Sequence, residues 1–184
     1  MQALYEGKSD EARAIAATRT DLDVFEAAGL GDVERLRTLL DGDPALANAW
    51  SDDGFTPLHY AAFFGHPEAA KLLVDRGARL EARSTNEEFA LDAMPLHSAV
   101  AAGQRDVCDV LLDAGADVNA VQHGGYTPFL EAAASGNAEL ADALLARGAD
   151  ATAELDDGRS AVDLATAGGH TELARRLERA RATP

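Results

Sequence analysis

Two histidines are the side chains in this sequence whose type and spacing most suggest chemistry. His59 and His97 each follow a Pro-Leu pair, 38 residues apart (97 − 59). Imidazole titrates near neutral pH and is a common metal ligand, so two that meet in space could bind a metal or transfer a proton. Leu130 stands at the corresponding place in the next Pro-containing segment. That replacement favours a structural role for the histidines, and we expect no metal and no cofactor.

Other reactive patterns are missing from the sequence. It contains no Ser/His/Asp order, no glycine-rich loop ending in lysine and no paired-carboxylate signature. The single cysteine, Cys108, excludes an internal disulfide and a multi-cysteine zinc site, and its apolar helical surroundings predict a core position. His66 and His170 each follow a glycine, and we expect them to bond to local backbone. The sequence therefore predicts no catalytic residues and no enzyme.

The elements that carry His59 read as two short helices. Thr56 is a suitable N-cap, and Pro57 follows at the first helical position, where its missing N–H costs nothing. Gly65 closes this helix, Pro67 can begin the next, and Gly77 ends it. Such a pair has too little apolar area to fold alone, so it must stack on a neighbour.

The same plan returns along the chain. The glycines that end each first helix are spaced 38, 33 and 33 residues apart, at Gly65, Gly103, Gly136 and Gly169. Residues 56–59 read Thr-Pro-Leu-His, residues 94–97 Met-Pro-Leu-His and residues 127–130 Thr-Pro-Phe-Leu. The Gly-Ala exits at 77–78, 115–116 and 148–149 repeat in phase with them.

A period of about 33 residues with a Thr-Pro-Leu-His signature is that of ankyrin repeats, and residues 21 to 180 resemble the ankyrin-repeat family. The resemblance implies an all-α fold: an ankyrin-repeat solenoid of stacked helix-turn-helix units with projecting turns. It also implies that His59 and His97 are structural groups that hydrogen-bond between repeats.

We expect one ankyrin-repeat domain over residues 1–184. Its predicted divisions are an N-terminal helical cap or half-repeat (1–20), repeat 1 (21–50), repeat 2 (51–83), repeat 3 (84–121), repeat 4 (122–154) and a C-terminal capping repeat (155–184). Repeat 3 carries five residues more than the period (38 − 33), near 85–93. Two interpretations of this insertion stay open: a loop that is merely tolerated, and a recognition loop on the binding face.

Acidic residues outnumber basic ones, with 32 Asp+Glu against 16 Lys+Arg and a net charge of −16. This field disfavours nucleic-acid binding, which needs cations against phosphates. It suits either solubility alone or a basic partner protein, and both interpretations stay open. No apolar stretch is long enough to span a membrane, and no N-terminal segment combines basic residues with an apolar run suited to export. We expect a cytoplasmic protein that contacts no membrane.

Aromatic residues are scarce but locally dense. The chain has one Trp, three Tyr and six Phe, and five of these, Trp50, Phe55, Tyr60, Phe63 and Phe64, fall within fifteen positions. Exposed on a concave side, these rings would form an anchor patch for a partner. Alternatively, they cover small alanines and stiffen the first stack. Tyr60 is expected to pack inside.

Ankyrin-repeat proteins bind partner proteins through projecting turns and the inner face of the first helix of each repeat. Transferred to this chain, that property gives the predicted partner-binding residues Trp50, Asp52, Asp53, Phe55, Phe63, Phe64, Arg83, Phe89, Tyr126 and Arg159. The implied function is a non-catalytic protein–protein interaction module, and we expect a monomer. Two alternatives stay open: a structural subunit that self-associates through the aromatic patch, and a metal or enzymatic role using His59 and His97.

Overall fold

The computed structural model describes residues 21–88 and 90–181, and helices joined by turns and loops make up this part of the chain. The α-helices, in chain order, are α1 (Val24–Leu30), α2 (Val33–Gly42), α3 (Pro57–Phe64), α4 (Pro67–Asp75), α5 (Pro95–Ala101), α6 (Arg105–Asp113), α7 (Pro128–Ser135), α8 (Ala138–Ala146), α9 (Ala161–Ala167) and α10 (Thr171–Arg181). Short 3₁₀ helices cover Pro44–Asn48 and His123–Gly125. The predicted all-α fold is confirmed. The predicted N-terminal cap, residues 1–20, lies outside the described residues.

The helices pack as antiparallel pairs that stack side by side. The first helices α1, α3, α5, α7 and α9 each contact the next in that order, and α2, α4 and α6 form a second row behind them. Each unit therefore touches only its neighbours, as expected for a solenoid. The predicted ankyrin-type stacking of helix-turn-helix units is confirmed.

The helix ends follow the predicted local chemistry. Asp23 caps α1 through a 2.8 Å bond from the backbone N–H of Glu26 to its Oδ1. Pro57 is the first residue of α3, and Thr56 before it is extended, with φ −93° and ψ 164°. Gly65 ends α3 in the left-handed region, at φ 79°. A β-carbon at Gly65 would lie 2.4 Å from Oε1 of Gln104, so the next unit also packs closely against this turn.

Leucine and alanine supply most of the core. Leu58, Leu73, Leu96 and Leu111 are fully buried, and alanines between them let the helices approach closely. Cys108 is 1% exposed in the same core, as predicted, and burial raises the pKa of its thiol to about 12. The thiol therefore stays protonated and serves as a small apolar group.

Side-chain amides clamp successive units together. Asn48 donates from Nδ2 to the carbonyl oxygen of Gly77 (2.9 Å) and accepts at Oδ1 from the backbone N–H of Arg79 (2.8 Å). Asn119 makes the same pair of bonds to Gly148 and Asp150, at 3.2 and 2.8 Å. In each clamp, one asparagine amide hydrogen-bonds to both a backbone N–H and a backbone carbonyl of the following unit. Without the asparagine, these two groups would be left to solvent.

A second tie runs between the first helices. Nε2 of His66 lies 3.0 Å from the carbonyl oxygen of Gly29, 37 residues earlier, and Nε2 of Gln104 donates to the carbonyl of Phe63 at 3.3 Å. The expectation that His66 bonds to local backbone is therefore wrong, because its partner belongs to the preceding unit. Stacking brings that carbonyl within reach of a side chain that is remote in sequence.

The segment before α5 folds around Ser84, which is 1% exposed. The backbone N–H of Ser84 donates to the carbonyl of Ala93 (2.8 Å), and that of Asp92 donates back to the carbonyl of Ser84 (3.1 Å). The segment also docks on the preceding turn, because the N–H of Thr85 donates to the carbonyl of Gly54 at 3.0 Å. Phe89 lies outside the described residues.

Candidate binding groove

A groove with a volume of about 530 Å³ crosses the first helices α3, α5 and α7. Phe63 and Phe64 line it from α3, Ser98 and Ala101 from α5, and Glu131 from α7. Asp53, Asn86, Ala90 and Gln122 of the projecting turns and the segment before α5 also line it. The groove exists because stacked first helices leave their inner faces uncovered while the turns extend beyond them.

Packed rings form the wall of the groove at α3. Tyr60 and Phe64 are stacked with centroids 6.4 Å apart, and Phe63 meets Phe64 edge to face at 5.2 Å. Phe55 packs edge-on against Tyr60 at 6.2 Å. Phe63 is nonetheless 42% exposed, whereas Tyr60 is 5% exposed, which confirms the prediction that Tyr60 packs inside. The wall is rigid and presents one large apolar side chain to solvent.

The two histidines are locked in one tautomer by their neighbours. The backbone N–H of Thr56 donates to Nδ1 of His59 at 3.2 Å, so Nδ1 must accept and Nε2 must carry the proton. That Nε2–H donates to the carbonyl of Ala93 at 3.0 Å. His97 repeats this arrangement, accepting from the N–H of Met94 and donating to the carbonyl of Tyr126, each at 3.3 Å.

These bonds leave neither ring nitrogen available for a metal or a proton transfer. Burial lowers the pKa of His59 and of His97 to about 4, so both rings are neutral at physiological pH. The bond from His59 to Ala93 also confirms that this histidine hydrogen-bonds between repeats. Among the described residues, no group of three or more His, Cys, Asp or Glu side chains could hold a metal ion.

Glu131 is the unusual side chain of the groove. Its Oε2 is inaccessible to solvent, and no described residue donates a hydrogen bond to it, although the residue as a whole is only half-buried. Burial raises the pKa of this carboxyl group to about 8. Unpaired buried carboxyl oxygens are rare in folded proteins, because desolvation is not repaid by a partner.

The groove brings together four of the predicted partner-binding residues: Asp53, Phe55, Phe63 and Phe64. Asp53 also supports the aromatic wall, because the Tyr60 hydroxyl donates to its Oδ1 at 2.5 Å. The carboxylate therefore orients a ring that the sequence places seven residues away.

The other predicted residues that the structure describes lie outside the groove lining. Trp50 is 48% exposed, with its ring centroid 6.5 Å from that of His59, and Asp52 is exposed beside it. Arg83 donates from Nη1 to the carbonyl of Val121 at 2.9 Å. Tyr126 is half-buried, and Arg159 is paired with Asp157 at 2.8 Å on a distant turn. Phe89, the remaining residue of that prediction, is not among the described residues.

Several lining residues were not predicted from the sequence. Ser98 and Glu131 occupy the same helical position as Tyr60. Each lies five residues before the glycine that follows its helix (65 − 60, 103 − 98 and 136 − 131). This shared helical position could have placed the two residues in the groove. The sequence alone, however, gives no reason to single out one carboxylate among 32 acidic residues. Asn86 and Gln122 belong to loops whose positions depend on tertiary packing.

No helix within 21–88 and 90–181 has both the length and the apolar character that crossing a bilayer requires. A family model described as "Ankyrin repeats (3 copies)" matches residues 2–84, 24–122 and 96–182, and thus most of the chain.

Curated proteins also match. Neurogenic locus notch homolog protein 4 of Homo sapiens is 38% identical over 107 residues, covering 58% of this chain and 5% of that protein. Ankyrin repeat and SAM domain-containing protein 6 of Mus musculus is 32% identical over 107 residues, covering 58% of this chain and 12% of that protein. NAD-capped RNA hydrolase NUDT12 of Homo sapiens is 33% identical over 88 residues, covering 48% of this chain and 18% of that protein. This chain thus spans less than a fifth of each relative's length.

Proposed function

The chain belongs to the ankyrin-repeat family, whose repeats are generally protein–protein interaction modules, and from this membership we propose that the groove across α3, α5 and α7 binds a segment of a partner protein. The observation that carries the proposal is the exposed ring of Phe63 on a preformed aromatic wall. Binding energy at interfaces is concentrated in such rigid aromatic anchors. Their preorganisation also means that little side-chain freedom is lost on binding.

The size of the groove supports a short segment as its occupant. A volume of about 530 Å³ accommodates a few side chains, and the projecting turns extend the surface beyond the helices. Asp52 and Asp53, together with the net charge of −16, favour a basic partner by attracting it during diffusion. The segment before α5 contributes Asn86 and Ala90 to the lining, so we propose that it takes part in recognition.

We assign no catalytic step to the groove. The family is generally non-enzymatic. His59 and His97 line the groove but have both ring nitrogens committed to hydrogen bonds. The basic nitrogen of each ring, Nδ1, already accepts from the backbone N–H of Thr56 or Met94, so neither ring can act as a general base without breaking that bond.

Affinity capture with three proteins tests the proposal: wild type, Phe63→Ala and Trp50→Ala. Trp50 is the matched control, because its ring is as exposed as that of Phe63 but does not line the groove. We expect Trp50→Ala to recover the same partner as wild type and Phe63→Ala to lose at least tenfold in affinity for it. Circular dichroism should show both variants folded.

Equal affinity of the two variants for the recovered partner would contradict the use of the groove. Sedimentation of the isolated protein supplies the second readout. A dimer that Phe63→Ala dissociates would mean that a second copy of the chain, rather than another protein, occupies the groove.

A further inference from the structure

Glu131 lies in the groove with a carboxyl group that the described part of the chain leaves unpaired at Oε2. It projects from α7 at the helical position that Tyr60 holds in α3 and Ser98 in α5. Neither Tyr60 nor Ser98 destabilises the fold at this position. The Tyr60 hydroxyl hydrogen-bonds to Asp53, and Ser98 carries only a small hydroxyl group. A carboxyl group without a donor destabilises the folded chain, so its presence there requires another explanation.

We propose that Glu131 is the receptor for a cationic side chain, foremost an arginine, that a partner protein inserts into the groove. The inference rests on the proposed function and specifies the chemistry of the segment that binds. An arginine guanidinium supplies the missing donors to a carboxylate. Phe63 and Phe64 lie on α3, two helices along the row from α7, so they would contact other side chains of the same bound segment.

The geometry gives a cation access to the carboxyl group. Glu131 is half-buried and lines the groove, and the terminal torsion of a glutamate is broad, so rotation can turn either oxygen toward a donor. In these apolar surroundings an ion pair is much less screened than on the open surface. An apolar side chain at the same place would leave the carboxyl group without a donor, as it is in the free protein.

Within residues 21–88 and 90–181, the charged and titratable neighbours of Glu131 include no cation that already fills this role. Asp53, His59, Tyr60 and His97 share the groove lining, and the two histidines are neutral. Cys108 of α6 is a protonated thiol, and on α9, which packs beside α7, Asp163 accepts from the Ser160 hydroxyl at 2.6 Å. On α8, Glu139 is exposed and Asp142 pairs with Arg176.

Binding of a cation should therefore be coupled to loss of a proton. The free carboxyl group has a pKa of about 8, whereas a guanidinium stabilises the ionised form. Below pH 8 the protonated carboxyl group must first release its proton to become a carboxylate, so affinity for the cation should rise about tenfold per pH unit up to that point. Arginine does not titrate in this range, so the pH dependence belongs to the protein.

Two blocked peptides test the proposal: acetyl-Leu-Arg-Leu-amide and its citrulline analogue, which has nearly the same shape and no charge. Each is titrated into nitrogen-15-labelled protein at pH 6.5 and pH 8.0, with the amide signals of Ala101 and Ala132 as readouts. The proteins are wild type, Glu131→Gln and the matched control Glu139→Gln, which removes an exposed carboxylate from the neighbouring helix.

We expect wild type and Glu139→Gln to bind the arginine peptide at least tenfold more tightly than the citrulline peptide at pH 8.0, with a smaller preference at pH 6.5. Glu131→Gln should bind both peptides equally. Three results would overturn the proposal: wild type binds the two peptides equally, wild type does not bind the arginine peptide, or Glu131→Gln still prefers the arginine peptide. If Phe63→Ala still abolishes partner capture while Glu131→Gln leaves it intact, the groove keeps its function and only the cation assignment fails.

Discussion

The Nε2–H of His59 donates a hydrogen bond to the carbonyl oxygen of Ala93, 3.0 Å away and 34 residues later in the chain. Its Nδ1 accepts from the backbone of Thr56, so one ring joins the N-terminus of α3 to the residues that lead into α5. The bond crosses from one repeat to the next at the floor of the groove. Its loss should weaken the stack at that interface.

We expect His59→Leu to lower the free energy of unfolding by about 1–3 kcal/mol, because it leaves the N–H of Thr56 buried without a partner and removes one of the two donors to the carbonyl of Ala93. Leucine is the appropriate replacement, since Leu130 occupies the equivalent position in α7 and is fully buried there. Urea unfolding measures the change. His123→Leu, at an exposed position, is the control and should change stability by less than about 0.5 kcal/mol. Equal costs for the two variants would contradict a structural role for the His59 ring.

The neutral state of His97 predicts a dependence of stability on acid. Its folded pKa of about 4 lies below the ordinary histidine value of 6.5, so the unfolded chain binds the extra proton first as the pH falls. The contribution is fully present above pH 6.5 and is lost as the pH falls toward 4. Relative to His97→Leu, wild type should lose about 1.4 kcal/mol of stability per pH unit within that window. Urea unfolding at pH 6.5, 5.5 and 4.5 measures the difference, and a difference that stays constant would contradict burial of a neutral ring.

Glu131 predicts a dependence of opposite sign. Its folded pKa of about 8 lies above the ordinary glutamate value of 4.5, so the folded protein keeps a proton that the unfolded chain releases. Its contribution is fully present below pH 4.5 and is lost as the pH rises through 8. Glu131→Gln should therefore gain stability over wild type by up to about 1.4 kcal/mol per pH unit between pH 5 and pH 8. The same series with Glu139→Gln is the control, and a stability difference between Glu131→Gln and wild type that does not change with pH would mean that the Glu131 carboxyl group is solvated.

Alanine substitutions at two glycines with the same φ angle test whether the segment before α5 docks on the preceding turn. Gly54 and Gly77 both have φ +83°, but a β-carbon at Gly54 would lie 2.9 Å from the backbone nitrogen of Asn86, whereas at Gly77 nothing lies within 4 Å. Both alanine variants are strained at positive φ, at a cost of about 1–2 kcal/mol. We expect Gly54→Ala to cost at least about 1 kcal/mol more, because the segment must also move.

Thermal unfolding of the two glycine variants gives the comparison. Amide exchange at Thr85, whose N–H donates to the carbonyl of Gly54, shows whether the contact itself is lost. Equal stabilities with unchanged exchange would mean that the segment can shift without penalty.

The fold could be predicted because it repeats. Pro57, Gly65 and Gly77 each have a local role that one helix pair needs, and their return at a fixed interval identifies neighbours that can bury its apolar face. The buried position of Tyr60 followed from the same pattern. The ankyrin signature also indicated correctly that His59 is a structural bridge rather than a reactive group.

The groove could be predicted only in part. Phe63 and Phe64 were identified because aromatic residues are rare in this chain and concentrated near α3. Glu131 was missed because its special character comes from burial and the lack of a donor, and neither is visible in a sequence rich in carboxylates. His66 was misassigned for a related reason, since its partner at Gly29 is close only in the folded stack.

The clamps at Asn48 and Asn119 have a mechanical consequence. Each joins a unit only to its immediate neighbour, so a load applied along the stack must pass through every interface in turn. Small displacements at successive interfaces add, as they do for springs in series, whereas the force at first rupture is set by the weakest interface alone. The molecule should therefore stretch gently under tension and then release its units one at a time.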